Sequence, residues 1–403
     1  MIRSPRILMI THGEKWGAGR AASRLLNCFE ENNFEVKLLL AKKERNSKNL
    51  IELTFFRRKA ILFLSRFDKY VCNLLEPRNH NWKSASFIGS LGAKAINTSN
   101  FDIVNIHWIG HGLISLRQLI KISKPIIITV NDEWLLNPIS HYTYELETKK
   151  SFVNSLRYRI LDGRIKAKNS LILRKNVLIV SVSEEIAKKF KQRFPQKQDQ
   201  IFVIPNPIDT NIFYPDINKS IELNPHSIDK PYAFYIGGTK DYRKGWDLLE
   251  KSIQLCTEKF TLLAVGAQTK KGIGKNSQID VLGIENISEL TKLRRLYSNA
   301  KLTVVPSRAE ALPQVATESI SCGTPVVGFQ IGGLEDIVTK SKTGILVPKF
   351  DIEKFAHAID EVIALDKATY TDHCQAFSQT YLSYGAISQK YNSIFNMLES
   401  KGL

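Results

Sequence analysis

The chain has 403 residues, 43% apolar and 24% charged, with 57 Lys and Arg against 39 Asp and Glu. That length exceeds one ordinary core and predicts two domains of about 200 residues each, and the composition excludes a disordered or fibrous chain. No apolar run approaches the roughly 18 residues of a membrane span, residues 1–11 hold too short an apolar core for a signal peptide, and Cys28, Cys72, Cys256, Cys322 and Cys374 lack any disulfide or zinc spacing. A cytoplasmic protein with reduced, buried thiols is the expectation.

Strand and helix patterns alternate along the chain, which predicts α/β architecture with parallel sheets and crossover helices. Residues 6–11, 35–41, 101–107, 125–130, 177–182 and 201–204 read as the strands of a first domain, residues 1–205. A linker follows, opening with Pro205-Asn206-Pro207 and running polar to residue 229. A second series, 232–237, 260–266, 279–282, 301–305, 324–328 and 344–347, belongs to a domain over residues 206–384. Helices over 370–384 and 386–400 close the chain, the last presenting Tyr391, Ile394, Phe395 and Leu398 as an apolar stripe.

Charge is placed unevenly. Residues 1–200 carry 35 Lys and Arg against 17 Asp and Glu, whereas residues 201–403 are balanced at 22 each, so the whole net charge of +18 sits in the first half. Two stretches, 55–67 and 156–175, mix these cations with apolar residues, and basic amphipathic helices fit an anionic membrane surface better than a base-reading one.

Four motifs carry chemistry. After the first strand, His12-Gly13-Glu14-Lys15-Trp16-Gly17-Ala18-Gly19 opens a helix, where glycines admit a close ligand and a helix N-terminus favours phosphate. Gly17-x-Gly19-x-x-Ala22 satisfies a loose dinucleotide fingerprint, but the second strand ends in Ala41-Lys42-Lys43 rather than in a ribose-binding acid. His107-Trp108 follows the third strand. Gly237-Gly238-Thr239-Lys240-Asp241-Tyr242-Arg243-Lys244-Gly245 links a strand to a helix, and a lysine beside a helix N-terminus calls for an anion. Finally, a buried strand ending at Val305 leads through Pro306 and Ser307 to Glu310, then to a helix starting at Pro313 with Glu318 two turns in. Amides around Leu312, Pro313 and Gln314 would make an anion site between the two acids.

This last segment, continued by Cys322-Gly323-Thr324-Pro325-Val326-Val327 and Gly332-Gly333, resembles the retaining glycosyltransferases of family 4. The resemblance implies the GT-B architecture: two Rossmann-like domains facing across a cleft, the C-terminal helix (385–403) crossing back to the N-terminal domain. It implies transfer of a hexose from a nucleoside diphosphate sugar to a glycan or lipid-linked glycan acceptor. By resemblance Glu318 holds ribose hydroxyls, Glu310 holds hydroxyls of the donor hexose, Lys244 and the amides at 312–314 stabilise the leaving diphosphate, His107 orients the sugar, and Gly17 and Gly19 face the donor.

His107-Trp108 is similar to a subgroup active on bacterial surface polysaccharides, and the two basic stretches add the expectation of a peripheral place on the inner face of a membrane. That subgroup continues Thr-x-His-Asp-x-Trp, where this chain has Thr129-Val130-Asn131-Asp132-Glu133-Trp134, and of its later Gly-Gly-Cys-His-Tyr only His141-Tyr142 remains. The family also carries an arginine where Gly238 stands, and its absence removes a bidentate phosphate contact unless Lys240 or Arg243 reaches in. No Asp-x-Asp occurs, and neither a catalytic metal nor a cofactor is expected. Two alternatives stand: a nucleotide-sugar epimerase of the same architecture, separable by product analysis without acceptor, and a nucleic-acid-binding protein, which the lack of any recognised binding module disfavours.

Overall fold

The computed structural model describes residues 5–14, 17–77, 82–142, 155–216, 231–273, 278–338 and 342–400. Lys15 and Trp16 of the glycine loop and the polar stretch of the expected linker from residue 217 onward lie outside them. By contacts the chain forms two compact units, Met1–Pro207 with Ile387–Leu403, and Ile208–Ala386.

The first unit contains β1 (Ile7–Ile10), α1 (Gly17–Glu31), β2 (Val36–Leu40), β3 (Leu50–Glu52), α2 (Phe55–Leu75), α3 (Ala93–Asn97), β4 (Ile103–Ile106), α4 (Leu116–Leu119), β5 (Ile126–Val130), α5 (Ser155–Ile172), β6 (Val177–Ser181), α6 (Glu184–Arg193) and β7 (Ile201–Val203). Its seven strands pair in the order β3-β2-β1-β4-β5-β6-β7, all parallel. Strands β1, β4, β5 and β6 are buried along their whole length, as apolar runs covered on both faces require. Helix α1 turns Ala21, Ala22, Leu25, Leu26 and Phe29 inward at helical spacing.

The second unit holds β8 (Tyr232–Tyr235), α7 (Trp246–Ile253), β9 (Thr261–Val265), β10 (Lys270–Ile273), β11 (Ile279–Ile284), α8 (Leu290–Asn299), β12 (Leu302–Val305), α9 (Gln314–Ser321), β13 (Val326–Phe329), α10 (Leu334–Ile337), β14 (Gly344–Val347), α11 (Ile352–Ala364) and α12 (Ala368–Phe377). The strand order is β10-β11-β9-β8-β12-β13-β14, parallel except for the antiparallel edge β10. Helix α13 (Tyr384–Ser400) ends the chain. From Ile387 it belongs to the first unit, where Tyr391, Ile394, Phe395 and Leu398 are all buried. Tyr391 and Phe395 pack on Phe29 with ring centroids 5.1 and 5.9 Å away, and the Tyr391 hydroxyl lies 3.3 Å from that of Thr129.

Both sheets reverse direction at their first strand: β1 has β2 on one side and β4 on the other, and β8 has β9 and β12. Crossovers that leave in opposite directions open a crevice at the carboxyl ends of those strands. The residues expected to act sit at those ends: Gly17 and Gly19 after β1, His107 after β4, Lys244 after β8, and Glu310 after β12.

Three features depart from the sequence reading. Strand β3 is a three-residue edge, and β10 is built from Lys270-Lys271-Gly272-Ile273, so neither shows an apolar pattern. The expected helix over 370–384 breaks, with a wide turn over Ser378–Leu382 between α12 and α13. Glu318 is the fifth residue of α9, because Pro313 caps that helix rather than opening it.

All five cysteines are free and buried. Burial pushes Cys28, Cys72, Cys322 and Cys374 up to about 12, so these thiols stay protonated and inert. Among the described residues no helix is long and apolar enough to cross a membrane.

Candidate functional site

In the second unit, Tyr242–Lys244 forms a single 3-10 turn whose start is capped by Asp241, its carboxylate accepting from the Arg243 amide at 3.0 Å. Gly245 ends the turn at φ +68, and a Cβ there would stand 1.9 Å from the carbonyl oxygen of Pro306. Only glycine lets this turn lie against the loop after β12. The Arg308 amide donates to the Arg243 carbonyl at 2.7 Å, and the Arg308 guanidinium grips Asp247 at 2.6 and 2.8 Å while stacking over Tyr242.

This apposition puts two cations on one carboxylate oxygen. Lys244 Nζ donates to Glu310 Oε1 at 2.6 Å, Arg243 Nη1 stands 3.0 Å from the same atom, and Ser307 Oγ donates to it at 2.9 Å. Burial alone would push the Glu310 carboxyl up, but Arg243 and Lys244 hold it at about 2. Glu310 is therefore ionised at any physiological pH. Burial lowers the Lys244 ammonium, with Glu310 opposing the change.

Leu312 and Pro313 are buried and Gln314 half-buried at the N-terminus of α9, which carries the positive end of the helix dipole. The Gly333 amide donates to the Ala311 carbonyl at 2.8 Å, so the Gly332-Gly333 turn braces this loop. Glu318 is buried and accepts from the Tyr297 hydroxyl at 3.0 Å.

The other two residues named for the diphosphate differ from each other. Arg243 is committed to Glu310 and to the Ala309 carbonyl at 3.2 Å, whereas Lys240 is exposed. Gly238 has φ +77, a conformation that disfavours the arginine a family member would carry there. A Cβ at Gly19 would lie 1.8 Å from the Gly13 carbonyl oxygen, so this buried glycine is required by the loop packing on α1. Gly17 is exposed with open space at its Cβ.

In the first unit, His107 is buried behind β4, and neither ring nitrogen has a partner among the described residues. Burial drives its pKa down to about 3, so the ring is neutral and offers one donor and one acceptor. It lines a pocket at the carboxyl ends of β4 and β5 with Ala18, Trp108, Thr129, Asn131 and Asp132. Asn131 accepts from Asn206 Nδ2 at 2.9 Å, and Asp132 pairs with His141 Nδ1 at 2.7 Å.

Trp108 packs against His141 and Trp134, centroids 4.3 and 5.3 Å away. The His107-Trp108 and Asn131 to Trp134 motif fragments thus converge on one pocket wall, with His141 packed against it. Beneath it, the fully buried Lys168 donates to the carbonyls of Trp134, Asn137 and Pro138 at 2.6, 2.8 and 3.0 Å.

Residues 17–212 match the family described as Glycosyltransferase Family 4, and residues 230–364 match Glycosyl transferases group 1. This chain belongs to the family 4 glycosyltransferases.

Among similar family members is the D-inositol 3-phosphate glycosyltransferase of Xylanimonas cellulosilytica, 25% identical over 221 residues, 51% of this chain and 52% of the relative. The chain spans about half the length of the curated relatives it matches. The fold is that of sucrose-phosphate synthase from Thermosynechococcus elongatus, with TM-score 0.67 and 19% identity over 99% of this chain and 100% of that one. HepE of Anabaena, solved in complex with UDP, matches at TM-score 0.65 and 15% identity over 98% and 100% of the two chains.

Sequence reasoning missed Ser307, Tyr297 and the Asp132–His141 pair as partners of the motif residues. Ser307 lies three residues before Glu310 and was visible only as a strand-ending residue. Tyr297 reaches Glu318 from a different helix, which no local pattern reveals.

Proposed function

We propose that this protein transfers a hexose from a nucleoside diphosphate sugar to a glycan or lipid-linked glycan, with retention at the anomeric carbon. The observation that carries the reading is the convergence of Lys244 and Arg243 on the Glu310 carboxylate at the carboxyl end of β12, beside the sheet reversal. A nucleoside diphosphate sugar matches its polarity: phosphates for the cations and the α9 N-terminus, sugar hydroxyls for Glu310, ribose hydroxyls for Glu318. The HepE neighbour, solved with UDP and with UDP-glucose, supports a uridine nucleotide as the donor to try first.

In the reaction the bond from the anomeric carbon to the diphosphate oxygen breaks and a bond to the acceptor oxygen forms on the same face of the sugar. The acceptor proton passes to the departing phosphate oxygen. Lys244, Arg243 and the α9 N-terminus stabilise the charge that grows on the diphosphate, which is where fixed cations and dipoles count most. Glu310, held ionised, accepts from hexose hydroxyls and steadies the positive charge developing on the ring. His107, neutral and with no ring partner among the described residues, is assigned to sugar hydroxyls, and its chain neighbour Trp108 supports a role in surface polysaccharide assembly. The basic first half supports a station on an anionic membrane, where a lipid-linked acceptor is presented.

Thermal shift with UDP-, GDP- and other activated hexoses tests the reading, since a ligand at 100 times its Kd stabilises by about 2.7 kcal/mol. A donor that raises the melting temperature should release nucleotide and glycosylate an acceptor glycan. Nucleotide release without any glycoside product would favour the epimerase.

A further inference from the structure

Helix α2 buries only one narrow edge. Ile61, Asp68, Cys72 and Leu75 face inward, with Asp68 accepting from the Ser84 hydroxyl and from the amides of Ala85 and Ser86. The opposite face should be polar in a helix lying on a water-exposed surface. Instead Phe56, Phe63, Phe67, Tyr70 and Leu74 are 83, 71, 43, 63 and 49% exposed. Their spacing of 7, 4, 3 and 4 residues sets them in one stripe, about 27 Å long at 1.5 Å per residue. Lys59, Arg66 and Lys69, all exposed, run beside it at the same helical spacing.

The two stripes together specify the partner. Phenylalanines in water with a parallel row of cations match the boundary between acyl chains and anionic headgroups, where rings enter the apolar layer and cations meet phosphate. A second copy of this chain would set the cations against each other. The start of α5 also exposes apolar groups among cations, with Leu156 and Tyr158, at 63 and 66%, alternating with the exposed Arg157 and Arg159. Ile160 and Leu161 of α5 pack on the Val71, Cys72 and Leu75 cluster, which ties that turn to the same helix.

We infer that α2 is an interfacial anchor that lies in the plane of an anionic bilayer and inserts the Phe56–Phe63–Phe67–Tyr70–Leu74 stripe below the headgroups. Arg58, which the sequence assigns to the same basic stretch, is taken up by Glu52 at 2.5 Å and is not part of the contact. This goes beyond charge attraction, because the inserted rings add a component that salt does not screen.

The test is sedimentation of the full chain with vesicles of phosphatidylcholine alone or with 30% phosphatidylglycerol, at about 0.05 and 0.5 M salt, a range over which the Debye length shrinks about three-fold. Binding is expected only with the anionic lipid, and a residual salt-resistant fraction should remain. Replacing Lys59, Arg66 and Lys69 by Ser should lower affinity roughly 100-fold at low salt, at about five-fold per cation. Replacing Phe63, Phe67 and Tyr70 by Ser should remove the salt-resistant fraction while leaving circular dichroism and nucleotide-sugar thermal shift unchanged. Equal binding by the aromatic variant, no binding by the unaltered protein, or a dimer that the aromatic variant dissociates would each overturn the inference. Failure here leaves the glycosyl-transfer reading untouched, since that reading is scored on donor shift and glycoside product.

Discussion

Lys244 and Glu310, 66 residues apart in sequence, meet at 2.6 Å because Gly245 lets one loop lie on the carbonyl of Pro306 in the other. In the proposed reaction each answers a different part of one ligand, the cation its diphosphate and the acid its sugar. They satisfy each other directly, and a third group, Arg243, shares the same oxygen.

Gly245→Ala should separate them. The added Cβ meets Pro306 O at 1.9 Å and the backbone is held at φ +68, so the turn must move away from the β12 loop. Loss of stability of more than about 1 kcal/mol is expected, together with a weakened thermal shift by donor. An unchanged melting temperature and donor response would show that the apposition is not required.

Glu310 also fixes a pH dependence. Its folded pKa is depressed from an ordinary 4.5 to about 2, so the unfolded chain binds the proton more readily and the carboxylate stabilises the fold above 4.5. That contribution is lost as pH falls from 4.5 toward 2. Glu310→Gln should flatten acid unfolding in this window, measured by chemical denaturation at stepped pH. The same variant should lower kcat more than it weakens nucleotide binding, because its action is on charge that develops in the transition state.

Glu318 is expected to act on binding. Two charge-assisted hydrogen bonds to ribose hydroxyls, each about 1.5–3 kcal/mol, make Glu318→Ala weaken the donor by roughly a hundred- to ten-thousand-fold. Titration calorimetry with the nucleotide reads this directly, and unchanged affinity in a folded variant would remove Glu318 from the ribose.

His107, with its pKa near 3, stays neutral through the physiological range. No inflection between pH 6 and 8 in kcat/KM should therefore trace to it, and His107→Gln, which keeps a donor and an acceptor, should retain more activity than His107→Ala. An inflection abolished by both variants would mean the ring titrates during the reaction.

Turnover is expected to persist in EDTA, with Lys244, Arg243 and the α9 N-terminus meeting the diphosphate charge. Nucleotide release with and without chelator measures it. Complete loss, restored by magnesium, would assign that charge to a metal instead.

The succession of the main strands along the chain, the position of each motif at a strand end and the family itself were legible because buried parallel strands are continuous apolar runs and the Glu310 to Gly333 segment keeps its spacing. The closing helix was equally legible, since Tyr391, Ile394, Phe395 and Leu398 repeat at helical spacing. Strands β3 and β10 were not, because short or charged edges carry no apolar signal.

What only the tertiary structure decided is which side chains answer one another. Between the two cations considered for the place vacated at Gly238, sequence offered no preference; packing turned Arg243 onto Glu310 and left Lys240 exposed. Likewise the 55–67 stretch read as one mixture of cations and apolar residues, until the helix phase gave Arg58 to Glu52 and set Lys59 and Arg66 beside the exposed rings. Sequence fixes which groups are near along the chain, but a charge or a hydroxyl takes its partner from whatever the fold brings within about 3 Å, and those neighbours lie dozens of residues away.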